Sequence, residues 1–104
     1  MNFLSNKHRQ SIQSPRYAVI VGHSENIKYR VSDWLKTIDI SQQWSEYKRS
    51  RMAQYVVTSM LENAEDFEDL DVFDIPIAML DWCTKEFSRL DSGGKIDKLV
   101  DNLK

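Results

Sequence analysis

The sequence contains few of the residues that all-β, disulfide-bonded or membrane-spanning proteins require. It has 1 cysteine, 3 glycines and 2 prolines in 104 residues. The single cysteine, Cys83, excludes an intrachain disulfide framework, and the scarcity of glycine and proline argues against an all-β fold, which needs many turns. No stretch approaches the roughly 18 consecutive apolar residues of a membrane span. We therefore expect a soluble protein with no membrane contact.

The amino-terminal residues lack the features of a secretory signal. The first ten residues hold a lysine, a histidine and an arginine and have no continuous apolar run. No Asn-x-Ser/Thr sequon occurs in the sequence. Together with the unpaired Cys83, these absences predict a cytoplasmic protein in a reducing compartment.

The residue patterns of common metal and nucleotide sites are also missing. An EF-hand loop starting at Asp69 would need glycine at its sixth position and glutamate at its twelfth, where Asp74 and Leu80 stand. The pair Gly94-Lys95 lacks the earlier glycine and the following hydroxyl residue of a phosphate-binding loop. We expect no metal site and no cofactor.

No arrangement of residues predicts catalysis. His23, Ser24 and Glu25 include acid–base residue types, but adjacent residues in one turn do not face one another as a catalytic triad does. Cys83 falls on the apolar face of a predicted helix, whereas a reactive thiol needs exposure and positive neighbours. We therefore predict a non-enzymatic protein without catalytic residues.

Apolar residues recur at helical spacing along most of the chain, which predicts an all-α fold. Ser24 is the expected N-cap of a first helix over residues 25–38. After a turn at residues 39–41, Ser41 is expected to cap a long second helix that runs to about residue 63 or 67. Its apolar stripe consists of Ala53, Val56, Val57, Met60, Ala64 and Phe67.

The second half of the chain predicts two more helices. Asp74 is expected to cap a third helix, with Pro76 in its first turn and the pair Gly93-Gly94 at its end. A short amphipathic helix follows over residues 96–103. The predicted architecture is a small bundle of three main helices and a short C-terminal helix.

The amino-terminal part of the chain allows several interpretations. Residues 1–15 are expected to form a flexible or loosely packed arm, ahead of a single helical domain over residues 16–104. The mostly β-branched run at residues 17–21 ends at Gly22 and favours a short extended segment. This segment could pack on helices or pair with a second copy of the chain, or the run could simply begin the first helix.

The second helix carries a further face of aromatic and basic residues. Its members are Trp44, Tyr47, Lys48, Arg51 and Tyr55. Trp, Tyr and Arg dominate the energetics of protein interfaces, so this face could anchor a partner protein. Single-stranded nucleic acid could also stack on the rings while the basic groups meet phosphates. A third alternative is internal packing against the acidic segment or the third helix.

Charge is divided unevenly along the chain. Residues 1–53 carry nine Lys and Arg and four acids, whereas residues 54–104 carry five Lys and Arg and twelve acids. Such asymmetry can mark a partner surface, or the two halves can simply attract each other in the fold. Leu70, Val72 and Phe73 could hold the acidic segment against the core. The second candidate surface, called the acidic surface, consists of Glu65, Asp66, Glu68, Asp69 and Asp71.

The sequence favours protein binding over nucleic-acid binding. The turn at residues 39–41 permits a helix-turn-helix, but the second helix is long for a DNA-reading helix, and the acidic surface would repel phosphates. The pI of about 5.6 also argues against nucleic acid. We expect a small regulatory or adaptor protein that binds another protein. The alternative is a nucleic-acid-binding regulator that uses the aromatic and basic face of the helix 42–63.

A homodimer is a further expectation. The chain has three Trp and four Tyr, and exposed aromatic residues at this density tend to be covered. Trp82 adds to this expectation, because it falls beside the apolar stripe of the third helix rather than on it. A dimer would also give an extended segment at residues 17–21 a partner strand.

Overall fold

The computed structural model describes residues 15–102 of the chain. Its four α-helices are α1 (Pro15–Leu35), α2 (Glu46–Leu61), α3 (Ile75–Ser92) and α4 (Ile96–Asn102). Two short 3-10 helices lie between α2 and α3, at Ala64–Phe67 and Val72–Asp74. No strand occurs in this part of the chain, so the predicted all-α bundle of three main helices and a short C-terminal helix is confirmed. Apart from Pro15, the predicted N-terminal arm lies outside the described residues.

The first helix begins at Pro15 rather than near residue 25. Residues 17–21 form part of it, so the extended conformation favoured by their side chains is wrong. The alternative in which this run begins the first helix is right. Ile20, Ile27 and Val31 are all at most 1% exposed and recur at helical spacing. Burial of this stripe outweighs a β preference that depends strongly on context.

The helix caps differ from those predicted. Ser24 lies inside α1, where its Oγ donates a hydrogen bond to a carbonyl of the preceding turn at 2.7 Å. The Oγ of Ser41 donates to the carbonyl of Leu35, the last residue of α1, at 2.6 Å. The cap of α2 is instead Ser45, whose Oγ accepts a hydrogen bond from a backbone N–H in the first turn at 3.1 Å. Trp44 therefore lies in the loop before α2 and not on the helix.

Arg49 ties this loop to α2. Its side chain is 9% exposed, and its guanidinium donates hydrogen bonds to the carbonyl of Gln42 at 3.4 Å and to the carbonyl of Trp44. Within residues 15–102, no carboxylate forms an ion pair with it. Backbone carbonyls thus accept hydrogen bonds from Nη1 of this buried charge, whereas its buried Nε has no hydrogen-bond partner within the described residues.

The second helix ends at Leu61, earlier than predicted. The acids that follow oppose the helix dipole, and the chain enters a 3-10 helix that buries Phe67. Asp74, the predicted cap of α3, makes no capping hydrogen bond through its side chain. Asp71 caps the preceding 3-10 helix instead, since its Oδ1 accepts a hydrogen bond from the N–H of Phe73 at 3.0 Å.

The ends of α3 agree with the sequence prediction. Pro76 lies in the first turn, where its missing N–H costs no intrahelical hydrogen bond. Gly94 follows the helix with a φ of 70°, a left-handed conformation that glycine adopts readily.

The three long helices share one core. Phe87 of α3 is 1% exposed, and the rings of Trp34 and Trp44 pack edge-on against it at centroid distances of 5.7 Å and 6.3 Å. This contact joins α3 to α1 and to the loop before α2. Trp44 is therefore part of the packing that holds the bundle together.

Cys83 is a core residue, as predicted. It is fully buried, and its Sγ lies 3.7 Å from the Sδ of Met60. Burial, and to a lesser extent the nearby charge of Glu86, raises the pKa of the thiol to about 12. The thiol therefore stays protonated at neutral pH.

Candidate functional site

The five residues predicted to form an aromatic and basic face do not share one exposed surface. Trp44 and Tyr55 are half-buried and pack against the core. Tyr47 is 66% exposed, and Arg51, one turn further along α2, is also exposed. Lys48 lies between the two groups, because its Nζ is 4.7 Å from the centre of the Trp44 ring. This face thus presents one fully accessible ring to a ligand.

The acidic surface is exposed at all five of its residues. Apolar residues between the carboxylates hold the segment in place. Phe67 is 3% exposed, Leu70 is half-buried, and the guanidinium of Arg16 donates a hydrogen bond to the Leu70 carbonyl. The backbone path of this segment is therefore fixed by the core while its charges face solvent.

These charges have no cationic partner within the described part of the chain. Residues 52–84 contain no Lys, Arg or His. Within residues 15–102, Asp33, Glu46, Asp81 and Glu86 form ion pairs with Lys or Arg. None of the seven carboxylates between Glu62 and Asp74 is among them. The basic half of the chain nonetheless meets this segment at Arg16, whose guanidinium donates to the Leu70 carbonyl, so the two halves are in contact there without an ion pair to a carboxylate of the segment in the described residues.

Beside the acidic surface lies an exposed apolar patch that the sequence analysis missed. Its residues are Val72, Phe73 and Ile77, which are 45%, 87% and 68% exposed, and we call this patch the Phe73 ridge. Leu70, Val72 and Phe73 were expected to hold the acidic segment on the core; Leu70 does so, whereas Val72 and Phe73 are exposed. The sequence contained one signal of this patch, because Ile77 lies outside the apolar stripe of α3.

Helical geometry brings the residues of the Phe73 ridge together. The 3-10 helix Val72–Asp74 runs directly into α3, so Phe73 and Ile77 are four residues apart on nearly continuous helical backbone. Side chains at that spacing are neighbours on one face. Two large apolar side chains therefore stand side by side in solvent, on the opposite side of α3 from Met79 and Cys83, which are fully buried.

A groove of about 450 Å³ adjoins the Phe73 ridge. It lies between the acidic segment and α3, and its apolar lining includes Phe67, Leu70, Ala78 and Trp82. Asp81, which also lines the groove, lies four residues after Ile77 on α3, and side chains at that spacing are neighbours on one face, so the groove begins one turn along α3 from the ridge. Trp82, which the sequence placed beside the helix stripe, is half-buried there.

The far end of the groove is closed by paired charges. The guanidinium of Arg89 donates two hydrogen bonds to the Glu86 carboxylate, at 2.9 Å and 2.8 Å. Hydrogen bonding from Arg89 lowers the pKa of Glu86, and the same pair raises the pKa of Arg89. Lys85 also pairs with Asp81 at 3.0 Å. These cations are balanced, whereas Asp66, which also lines the groove, has no ion-pair partner among residues 15–102.

Within residues 15–102, no group of three or more His, Cys, Asp or Glu side chains is arranged to hold a metal ion. No helix in the same range is long and apolar enough to cross a membrane.

Comparisons of the chain with models of protein families, with curated proteins and with solved structures found no match. The function is therefore inferred from the geometry of the chain itself.

Proposed function

We propose that this chain is a small non-enzymatic binding protein that acts through protein–protein contact, with the Phe73 ridge as its main anchor. The observation that carries the proposal is the 87% exposure of Phe73 next to Ile77, which is 68% exposed. Single exposed apolar residues are normal, but adjacent large ones on a fixed helical face are typical of interaction sites. A regulatory or adaptor role in the cytoplasm is part of this proposal.

Binding of a partner at the ridge would bury the side chains of Phe73 and Ile77. Covering a Phe or Ile side chain contributes about 1.5–3 kcal/mol each. Phe73 and Ile77 are attached to rigid helical backbone, so little backbone entropy would be lost when a partner covers them. Two such anchors beside a groove match the usual anatomy of a protein interface, in which a few residues supply most of the affinity.

A second copy of the chain is a weaker candidate for the partner at this ridge. In a two-fold symmetric dimer the same patch meets itself. Asp71 and Asp74, on either side of Phe73, would then face carboxylates of the other copy, and like charges across an interface are unfavourable. The homodimer expected from the aromatic content would therefore have to use another face, such as the one around Tyr47.

Nucleic-acid binding remains the second candidate function. The observation that favours it is the exposed ring of Tyr47 beside Lys48 and Arg51. One accessible ring is a small stacking platform, however, because Trp44 and Tyr55 are half-buried. Binding through this face should weaken steeply with salt and be lost in Lys48→Ala/Arg51→Ala.

The test is affinity capture with matched variants. Wild-type protein, Phe73→Ala/Ile77→Ala and Tyr29→Ala are immobilised, and retained proteins are quantified by mass spectrometry. Tyr29 is 67% exposed on α1 and serves as the control for loss of an exposed apolar side chain. Proteins retained by the wild type and by Tyr29→Ala, but not by the double variant, are the expected result. Equal retention by all three would contradict the proposal.

A further inference from the structure

Most exposed charges around the Phe73 ridge are negative, although the guanidinium of Arg16 reaches the Leu70 carbonyl nearby. Asp71 and Asp74 flank Phe73 in the chain, and Glu68 and Asp69 lie just before them, all exposed. The nearest basic residues in sequence are Arg51 and Lys85, because residues 52–84 contain none. A surface lined by one sign of charge attracts a partner of the opposite sign and speeds its association.

The groove beside the ridge also carries a carboxylate without an ion pair. Asp66 lines the groove and has no ion-pair partner among residues 15–102. Lys85 and Arg89, which line it as well, are paired with Asp81 and Glu86. A ligand that enters the groove therefore meets an excess of negative charge around an apolar floor.

The volume of the groove sets the size of what can enter it. About 450 Å³ is near the lower end of the range of about 300–1,000 Å³ that is typical of ligand pockets. That space suits one or two apolar side chains rather than a whole helix. Trp82 and Leu70 would contact them, while Phe73 and Ile77 would cover the adjoining part of the partner.

From these features we infer that the partner contacts the Phe73 ridge with a basic amphipathic segment, which inserts an apolar side chain into the groove and places Lys or Arg against Asp66, Asp71 and Asp74. This inference rests on the proposed function, since it names the chemistry of the partner at the same site. An acidic segment or a nucleic acid would be repelled by the same carboxylates. A second copy would bring the same carboxylates face to face.

Display of random 12-residue peptides tests the inference without knowledge of the natural partner. Peptides are selected on the full chain and counter-selected on Phe73→Ala/Ile77→Ala. The expected peptides carry net positive charge and at least one large apolar residue. Their affinity should fall about tenfold or more in the double variant, as for hot-spot truncation. It should also fall several-fold between low and high salt.

A pair of charge variants serves as the matched control. Asp66→Asn/Asp71→Asn/Asp74→Asn removes the three carboxylates that the inference names, and asparagine at position 71 can still cap the 3-10 helix. The control, Asp39→Asn/Asp91→Asn/Asp97→Asn, removes the same number of exposed carboxylates elsewhere. The first variant should bind the selected peptides several-fold more weakly than the wild type. The control variant should bind them nearly as well as the wild type.

The outcomes test the proposed function and the inference about the partner's chemistry separately. Peptides that depend on Phe73 but are neutral or acidic, or that bind both charge variants equally, would overturn the inference and leave the proposed function standing. A selection that yields no peptide dependent on Phe73 would overturn both. Basic peptides that depend on Phe73 and discriminate between the two charge variants would support both.

Discussion

The guanidinium of Arg49 donates a hydrogen bond to the carbonyl of Trp44, five residues earlier in the chain. The ring of Trp44 in turn packs against Phe87 in the core. Arg49 therefore fixes the loop between α1 and α2 from inside, in a place where its own charge is 9% exposed.

The first prediction concerns this buried guanidinium. Arg49→Lys keeps the charge, but the lysine side chain ends one bond short of the position of Nη1, the nitrogen that donates both loop hydrogen bonds, so its ammonium cannot reach both carbonyls in the same geometry. We expect the free energy of unfolding, measured by urea denaturation, to fall by about 1–3 kcal/mol. Arg30→Lys, at an exposed position of α1, is the control and should change it by no more than about 0.5 kcal/mol. Equal stability of the two variants would show that the loop hydrogen bonds contribute nothing to the free energy of unfolding.

The second prediction separates the observed cap of α2 from the caps that the sequence suggested. Ser45→Ala should lower the free energy of unfolding by about 1 kcal/mol, because it removes the acceptor for a backbone N–H. Ser45→Asp should restore most of that loss. Ser24→Ala should be nearly neutral, since Ser24 lies within α1 and caps nothing. A larger loss for Ser24→Ala than for Ser45→Ala in thermal denaturation would count against the observed start of α1.

The third prediction uses two glycines with opposite roles. Gly22 lies inside α1, and no atom lies within 4 Å of an added Cβ, so Gly22→Ala should stabilise the fold by about 0.5–1 kcal/mol. Gly94 has a φ of 70°, and Gly94→Ala should destabilise it by roughly 1 kcal/mol. Melting temperatures measured by circular dichroism should therefore move in opposite directions. A fall for Gly22→Ala would contradict a helix through that position.

The fourth prediction concerns the thiol of Cys83. Its pKa is about 12 in the folded protein against 9.0 for a free thiol, so between these values the unfolded chain releases a proton that the native state keeps. This thiol contribution to stability is therefore constant below about pH 8 and is lost as pH rises above 9. The loss can reach about 1.4 kcal/mol per pH unit. Cys83→Ala should show a shallower decline than the wild type in denaturation experiments at pH 9–11.

The same burial makes Cys83 a probe of folding. A thiol reagent at pH 8 should modify it only after urea unfolds the chain, because the native side chain is fully buried. Rapid modification in the absence of denaturant would show that α2 and α3 open readily.

The fifth prediction tests whether the Phe73 ridge is free of a structural role. Phe73→Ala should change the free energy of unfolding by no more than about 0.5 kcal/mol, because the ring is 87% exposed. Phe87→Ala should lower it by about 3–5 kcal/mol, since that ring is 1% exposed and contacts two tryptophans. A loss above 2 kcal/mol for Phe73→Ala would show that the ring is packed in the fold. The Phe73 ridge would then not be an exposed surface for binding.

The fold class could be predicted from the sequence because the apolar spacing of α2 and α3 is helical throughout. The beginning of α1 could not, since residues 17–21 have a β-branched composition and only burial of Ile20 against the other helices decides their conformation. The start of α2 could not be predicted for a different reason. Ser41 and Ser45 are chemically identical, and only the hydrogen bond of Ser41 to the end of α1 separates their roles.

The candidate site was less predictable than the fold. Periodicity assigns a residue to a helix face only where the helix includes that residue. Because α2 begins after Ser45, Trp44 is not part of the predicted face. The exposure of Phe73 depends on Leu70 taking its place against the core, which no local pattern encodes. Ile77 could have been noticed, because an isoleucine off the apolar stripe of α3 has no packing role to explain it.

The absence of basic residues between Met52 and Thr84 has a practical consequence for work on this surface. Trypsin cuts after Lys and Arg, so it would release the Phe73 ridge and the acidic surface together in one long peptide, residues 52–85. Amine-reactive crosslinkers would likewise find no lysine on the ridge. Coupling the chain to a support through its lysines would leave the ridge itself unmodified but would attach the support beside the groove wherever Lys85 reacts.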